Sequence, residues 1–143
     1  MAGGVGNDQV HGPDETWVSK TDAYFKKEKG SSEKGFWDIQ KKTPEKWFIQ
    51  YKSDLLNLNF KISLSSFKHV GIFPEQASNW EFLAENIPKL KNDKPKFLNL
   101  FAYTGAASLI ANAAGAETTH VDSIKQVVTW ANANMELIDE AEI

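Results

Sequence analysis

The 143-residue sequence has no cysteine, no arginine and only five prolines. Each shortage closes off a class of reading. Without cysteine there is no disulfide framework, no thiolate zinc site and no cysteine nucleophile. Without arginine, all 16 basic residues are lysine. The bidentate fork favoured for clamping phosphate or carboxylate is therefore missing, and an anion is left to lysine or backbone amides. No apolar run approaches the roughly 18 residues needed to span a bilayer. The opening "MAGGVGNDQVHG" has neither the basic start nor the apolar centre of a secretory signal. A cytoplasmic location with no membrane partner is expected. His69 and His120 have no second ligand at metal spacing, so no metal site is expected, and His120 is read as structural.

What is present describes one folded domain's worth of chain, with 41% hydrophobic and 12% aromatic residues. The net charge of −3 makes the chain as a whole no magnet for nucleic acid, yet the lysines are uneven. Eleven fall between Lys20 and Lys68, and Lys125 is the sole one after Lys96. That lysine-rich part is a solvated face or the seat of a nucleic-acid partner.

Residues 1–34 read as a mobile segment, with a short helix where Trp17, Tyr24 and Phe25 recur at roughly helical spacing. Residues 35–70 hold three strand-like runs, "GFWDIQKK", "KWFIQY" and "NLNFKISL", and short linkers make an antiparallel meander the simple expectation. Phe36 and Asp38 fall on one side of the first run, Trp37 and Ile39 on the other. In the third run Leu58, Phe60 and Ile62 share a face.

From residue 71 the period changes. Trp80, Leu83, Ala84, Ile87 and Leu90 follow a helical stripe that stops near "KLKNDKPK". "KFLNLF" suits a strand buried on both faces. "TGAASLIANAAG" is a small-residue helix closed by Gly115, "AETTHVDS" a second strand, and Ser123 to about Leu137 a second helix with Val127, Val128, Ala131 and Leu137 on its stripe. Strand, helix, strand, helix is a βαβα unit with a parallel sheet. The fold class expected is thus α/β: an antiparallel hairpin or meander, then the first βαβα part of a Rossmann-like doubly wound sheet over residues 71–143. Two parallel strands leave both edges open, so the sheet reads as incomplete and the chain as truncated.

The chemistry concentrates where the first parallel strand ends. Amides of a helix's first turn point outward there, and Gly105, Ala106 and Ala107 are small enough for a ligand to approach the backbone. Seventeen residues past Gly105, Asp122 stands where a carboxylate accepts hydrogen bonds from ribose hydroxyls. Spacing alone leaves a second reading open, with small residues serving helix packing and Asp122 acting as an N-cap. The G-x-G-x-x-G fingerprint is absent, and Phe101 and Tyr103 occupy places where glycines usually sit. That disfavours a pyrophosphate, hence NAD or FAD, and favours S-adenosylmethionine.

The stretch "FLNLFAYTGAASLIANAAGAETTHVDSIKQVVTWANANMEL" resembles the cofactor-binding half of class I S-adenosylmethionine-dependent methyltransferases. More narrowly, it is similar to the branch that methylates large-subunit ribosomal RNA, whose first motif reads N-L-F-x-Y-T-G. "FKHVGIFPEQASNWEFL" and "GFWDIQKKTPEKWFIQY" resemble the segments ahead of that motif, so the likeness spans roughly residues 35 to 137. The resemblance implies S-adenosyl-L-methionine as cofactor and RNA as partner of the whole enzyme. It puts Asn99 near the methionine end, where an acid is usual. Phe101, Tyr103, Thr104 and Gly105 form the turn beneath the cofactor, Asp122 holds the ribose, and Ser123 and Ile124 lie near the adenine. Phe73 and Gln76 close over it, Gln76 facing the cofactor carboxylate. The residues themselves read Phe73 and Trp80 as core rather than ligand contacts, and leave Tyr103 open between a methionine contact and packing behind the turn. Ala77 replaces an arginine found in relatives, and the D-P-P or N-P-P catalytic loop does not occur. No catalytic residue is nameable, and the chain alone is expected to be inactive. A non-catalytic nucleoside-binding module is the alternative.

Overall fold

The computed structural model describes residues 20–30, 34–66 and 68–139. It divides into two compact units, one formed by residues up to 44 together with 65–68, the other by residues 45–64 and 69 onward.

In the first unit, β1 (Ala23–Lys27) pairs antiparallel with β2 (Gly35–Ile39). Tyr24 stands opposite Asp38 and Lys26 opposite Phe36, so these four share one face. Phe25 and Trp37 meet on the other face, with ring centroids 5.4 Å apart. Two expectations change here. Residues 23–27 are a strand rather than part of a helix, because Tyr24 and Phe25 find cross-strand partners that an isolated short helix could not supply. The upstream part of that helix reading, and residues 1–19 and 31–33 of the segment read as mobile, lie outside the described residues. The run "GFWDI" pairs backward with β1 instead of forward with the next strand, so the meander is two separate hairpins.

In the second unit, β3 (Lys46–Lys52) and β4 (Asn57–Ser63) form an antiparallel hairpin. The period-two face predicted for β4 is the core. Leu58, Phe60 and Ile62 are all buried, and they pack with Leu56, Ile72, Trp80, Ala84, Leu109 and Ile110. Trp80 and Ala84 come from α1 (Ala77–Asn86), entered through a 3₁₀ turn at Pro74–Gln76 and left through another at Ile87–Lys89. Pro88 lacks the N–H a continuing α-helix needs, so the predicted stripe ends early, leaving Leu90 exposed.

β5 (Lys96–Leu100), α2 (Ala106–Ala113), β6 (Glu117–Val121) and α3 (Lys125–Asp139) follow in that order, and β5 pairs parallel with β6. The βαβα unit is as expected. Burial of β5 on both faces is not: Leu98 and Leu100 are 60% and 56% exposed, and Val121 of β6 is 44% exposed. The α2 side of the strand pair is covered, and the other side is open among the described residues.

α3 is fastened to the hairpin by side chains. Asn134, fully buried, accepts from the Lys61 N–H at 2.8 Å and donates to the Thr104 carbonyl at 2.9 Å. The Trp130 indole N–H donates to the Lys61 carbonyl at 2.7 Å. Both backbone groups of Lys61 therefore point away from β3, and α3 satisfies the outer edge of β4. Gly71, at φ +110°, lies under the Trp130 ring, where a β-carbon would come within 2.3 Å. Asn134→Ala would orphan two buried backbone groups, and urea unfolding should show a loss of roughly 2–4 kcal/mol. Trp130→Phe, which orphans one, should lose about half as much at unchanged m-value.

Candidate functional site

The site grows from the turn that joins β5 to α2. Phe101, Tyr103 and Gly105 all adopt left-handed backbone, at φ 55°, 52° and 93°. Glycine does this freely, while a bulky residue is strained by about 1–3 kcal/mol. Such a turn survives only where its surroundings over-determine it, and here they do. The Tyr103 N–H donates to Asp122 Oδ2 at 2.9 Å, and the Ala102 N–H to the Val121 carbonyl at 3.1 Å. The Gly105 N–H closes on the Ala102 carbonyl at 3.0 Å. Asn134 holds the Thr104 carbonyl, and the Thr104 hydroxyl donates to the carbonyl of Gly71.

Beside the turn opens a cavity of about 460 Å³. One wall is Asn99, Phe101 to Thr104, Ala106 and Ala107. The opposing wall is Ile72, Phe73, Glu75, Gln76, Asn79 and Trp80 from the entry to α1. Phe73 bridges the walls, its ring 5.1 Å from Tyr103 and 4.9 Å from His69. Burial pushes the Tyr103 phenol above its ordinary value. Among the described residues, Glu75 is the sole charged one in the lining.

Of the residues singled out from sequence, Phe73, Gln76, Asn99, Phe101, Tyr103 and Thr104 line this cavity. Trp80 serves both as wall and as core, meeting Tyr51 edge to face and Phe60 at a tilt. Phe101 projects at the rim, 91% exposed. Gly105 is not in the lining. A β-carbon there would point at Ala131, 3.1 Å from its Cβ, so the missing side chain serves the backbone twist and the approach of α3. Asp122 is adjacent rather than lining. Its carboxylate accepts from Tyr103, a wall residue, and from the Ile124 N–H at 2.9 Å. Those amides, that of Ile124 foremost, hold its pKa below the ordinary carboxylate value. Ser123 and Ile124 follow it, exposed and outside the lining.

Sequence reading missed Ser108 and the part played by His120. Asn99 Nδ2 donates to Ser108 Oγ at 2.9 Å, and Ser108 Oγ lies 3.0 Å from His120 Nδ1. This relay fixes the Asn99 amide at the cavity wall. With the serine donating, the ring proton sits on His120 Nε2, which is buried and has no partner among the described residues. Burial pushes the imidazole below its ordinary value, against the opposing charge of Asp122. The one available signal was Ser108 as a polar residue within the apolar, small-residue run "AASLIANA". Asn79, whose Nδ2 donates to Gln76 Oε1 at 2.7 Å, was also unforeseen.

A strained turn at the carboxyl end of a parallel strand, a cavity beside it and a pinned carboxylate just past the next strand define an α/β protein with a crevice at its sheet rim. The comparisons narrow this. The chain is similar to the S-adenosylmethionine (SAM)-dependent methyltransferase from Agrobacterium tumefaciens, with 38% identity and a TM-score of 0.69 over 87% of this chain and 37% of that one. It is also similar to ribosomal RNA large subunit methyltransferase K/L. With the Magnetococcus marinus protein it is 38% identical over 81 residues, 56% of this chain and 10% of the relative. With that of Pseudoalteromonas translucida it is 38% identical over 79 residues, 54% of this chain and 10% of the relative. The chain thus spans about a tenth of those curated relatives. No family model matches it. The fold matches the part of the Agrobacterium tumefaciens methyltransferase that it spans.

Both lowered pKa values carry a sign. The neutral imidazole and the charged carboxylate are the forms favoured by folding, so each contribution is present above the group's unfolded pKa and lost as pH falls through the folded one. Unfolding free energy should decline on acidification below about 6.5 from His120, and again below about 3.9 from Asp122. His120→Asn should flatten the first decline and Asp122→Asn the second, read from urea midpoints across pH.

Proposed function

We propose that this chain is the cofactor-binding portion of a SAM-dependent methyltransferase acting on RNA such as ribosomal RNA, working in the cytoplasm. In this reading the cavity beside the 101–105 turn is the cofactor site. The observation that carries the reading is the pairing of that cavity with Asp122, on a chain similar over 87% of its length to a SAM-dependent methyltransferase.

The lining suits the cofactor. It holds no cation, and its one charge is the carboxylate of Glu75. A pyrophosphate would find nothing to neutralise it there, whereas SAM carries a sulfonium and an ammonium against one carboxylate. Bound there, SAM supplies an electrophilic methyl group. The chain's residues align it. Asp122 keeps lone pairs for ribose hydroxyls while its backbone bonds fix its orientation. Gln76 engages Asn79 through its carbonyl, leaving its NH₂ as donor to the methionine carboxylate. Asn99, oriented by Ser108, faces the methionine end. Phe73 and Tyr103 exclude water from one side, and the exposed Phe101 covers the mouth. Gly105 acts by shaping the turn, and Ser123 borders the adenine end. Positioning of this kind is the main contribution an enzyme makes to attack on a sulfonium methyl.

Base recognition has no candidate, since no D-P-P or N-P-P occurs in the 143 residues. The isolated chain is therefore expected to bind the cofactor without transferring its methyl group, as a nucleoside-binding module would. Calorimetry with SAM should give one site, and Asp122→Ala should weaken it roughly tenfold to a hundredfold by removing charge-assisted bonds. Tritium transfer to ribosomal RNA should be absent. Affinity unchanged by Asp122→Ala, or tighter binding of NADH than of SAM, would overturn the assignment.

A further inference from the structure

The β1–β2 hairpin carries a second surface that the cofactor site does not use. On one face Tyr24 and Phe36 flank Lys26, whose Nζ lies 5.1 Å from the Tyr24 ring centroid and 6.0 Å from that of Phe36. Asp38, across from Tyr24, pairs with Lys26 at 2.5 Å and holds that ammonium in place. Phe36 is 59% exposed. A lone exposed phenylalanine needs no explanation, but this one sits in a particular setting. The described residues of the unit hold eight lysines against Asp22, Glu28 and Asp38, although the whole chain is at −3. Lys27, Lys29 and Lys34 lie at the connecting-loop end of the hairpin, Lys41 and Lys42 at the other. The aromatic face runs about 13 Å between them at the ordinary rise per residue. An exposed ring with a cation over it and positive charge at both ends is the arrangement that stacks an unpaired base while lysines meet the flanking phosphates.

We propose that this face is a binding site for single-stranded RNA, with Phe36 as the stacking platform, Tyr24 and Lys26 beside it, and Lys29 and Lys42 as phosphate contacts. The identity of the nucleic acid as RNA rests on the function proposed above. An apolar protein partner fits less well, because lysines outnumber acids around the patch, with Asp22 held by Lys41 at 2.8 Å and Asp38 by Lys26. A duplex fits less well too, because its bases offer no free face to the ring.

Fluorescence anisotropy on the full chain, with a short labelled oligo(A) RNA as probe, tests this. Phe36→Ala should weaken binding between about fivefold and a hundredfold. Phe36→Trp should retain it, and Leu55→Ser, at an exposed residue of the other unit, should leave it unchanged. Lys29→Ala and Lys42→Ala should each lower the slope of log affinity against log salt by about 0.7. An RNA duplex of the same length should bind more weakly. Indifference of the single strand to Phe36→Ala would overturn the proposal, as would equal affinity for the duplex. Competition by polyglutamate as effective as by RNA would overturn it in favour of an acidic protein partner. SAM calorimetry on the same samples separates the two claims. RNA loss in Phe36→Ala with no SAM binding by the parent chain upholds the hairpin and sinks the cofactor site. SAM binding with RNA affinity indifferent to Phe36 does the reverse.

Discussion

The Asp122 carboxylate is the contact on which the rest of the site depends. It sits past the end of β6 and receives one N–H from the turn after β5 and another from the start of α3. A single ionised group thereby ties together the rims of two strands and the entry to a helix. Because its partners are backbone amides, the tie does not rely on any long side chain holding a rotamer. Two bulky residues can then remain in left-handed backbone, at a conformational cost that isolated turns do not sustain. The cavity wall is consequently in place before any ligand arrives, which is the condition for alignment to contribute to a reaction.

Polar groups in the interior serve the same end. Among the described residues, Thr104, Ser108 and Asn134 are the buried polar ones, and each has its partners. Asn134 links β4, α3 and the turn, and Ser108 links β5, α2 and β6. In apolar surroundings, an unmatched polar group is far more unfavourable than a matched one is favourable. These residues therefore specify a single arrangement of their elements, more than they add to its stability. His120 Nε2, which has no partner among the described residues, is the exception, and it lies at the end of the relay that begins at Asn99.

Much of the fold was legible in the chain. The face Leu58, Phe60, Ile62 and the stripe through Trp80, Ala84 and Ile87 showed at their proper periods because burial imposes those periods directly. The parallel βαβα order followed from element lengths alone. Pairing of "GFWDI" was not legible: alternation says which residues share a face, but not which neighbour supplies the other strand. Nor was the open side of β5, since five residues rich in leucine read alike whether one face is covered or two. Asn134 fell on the buried period with Val127 and Ala131, yet a polar residue on a stripe is normally taken for a gap in it.

For the site, the amino-acid order determined its ingredients: a strand end, a glycine able to turn it, and an acid on the following strand. Those are local chemical facts, set by backbone freedom and side-chain type. Tertiary packing decided how they are used. Gly105 turned out to face Ala131 instead of the cavity, and Asp122 reached it through the Tyr103 amide. Ser108 became the group that orients Asn99. Direction in space comes from which elements press on one another, and that depends on contacts between residues far apart in the chain, which no local pattern encodes.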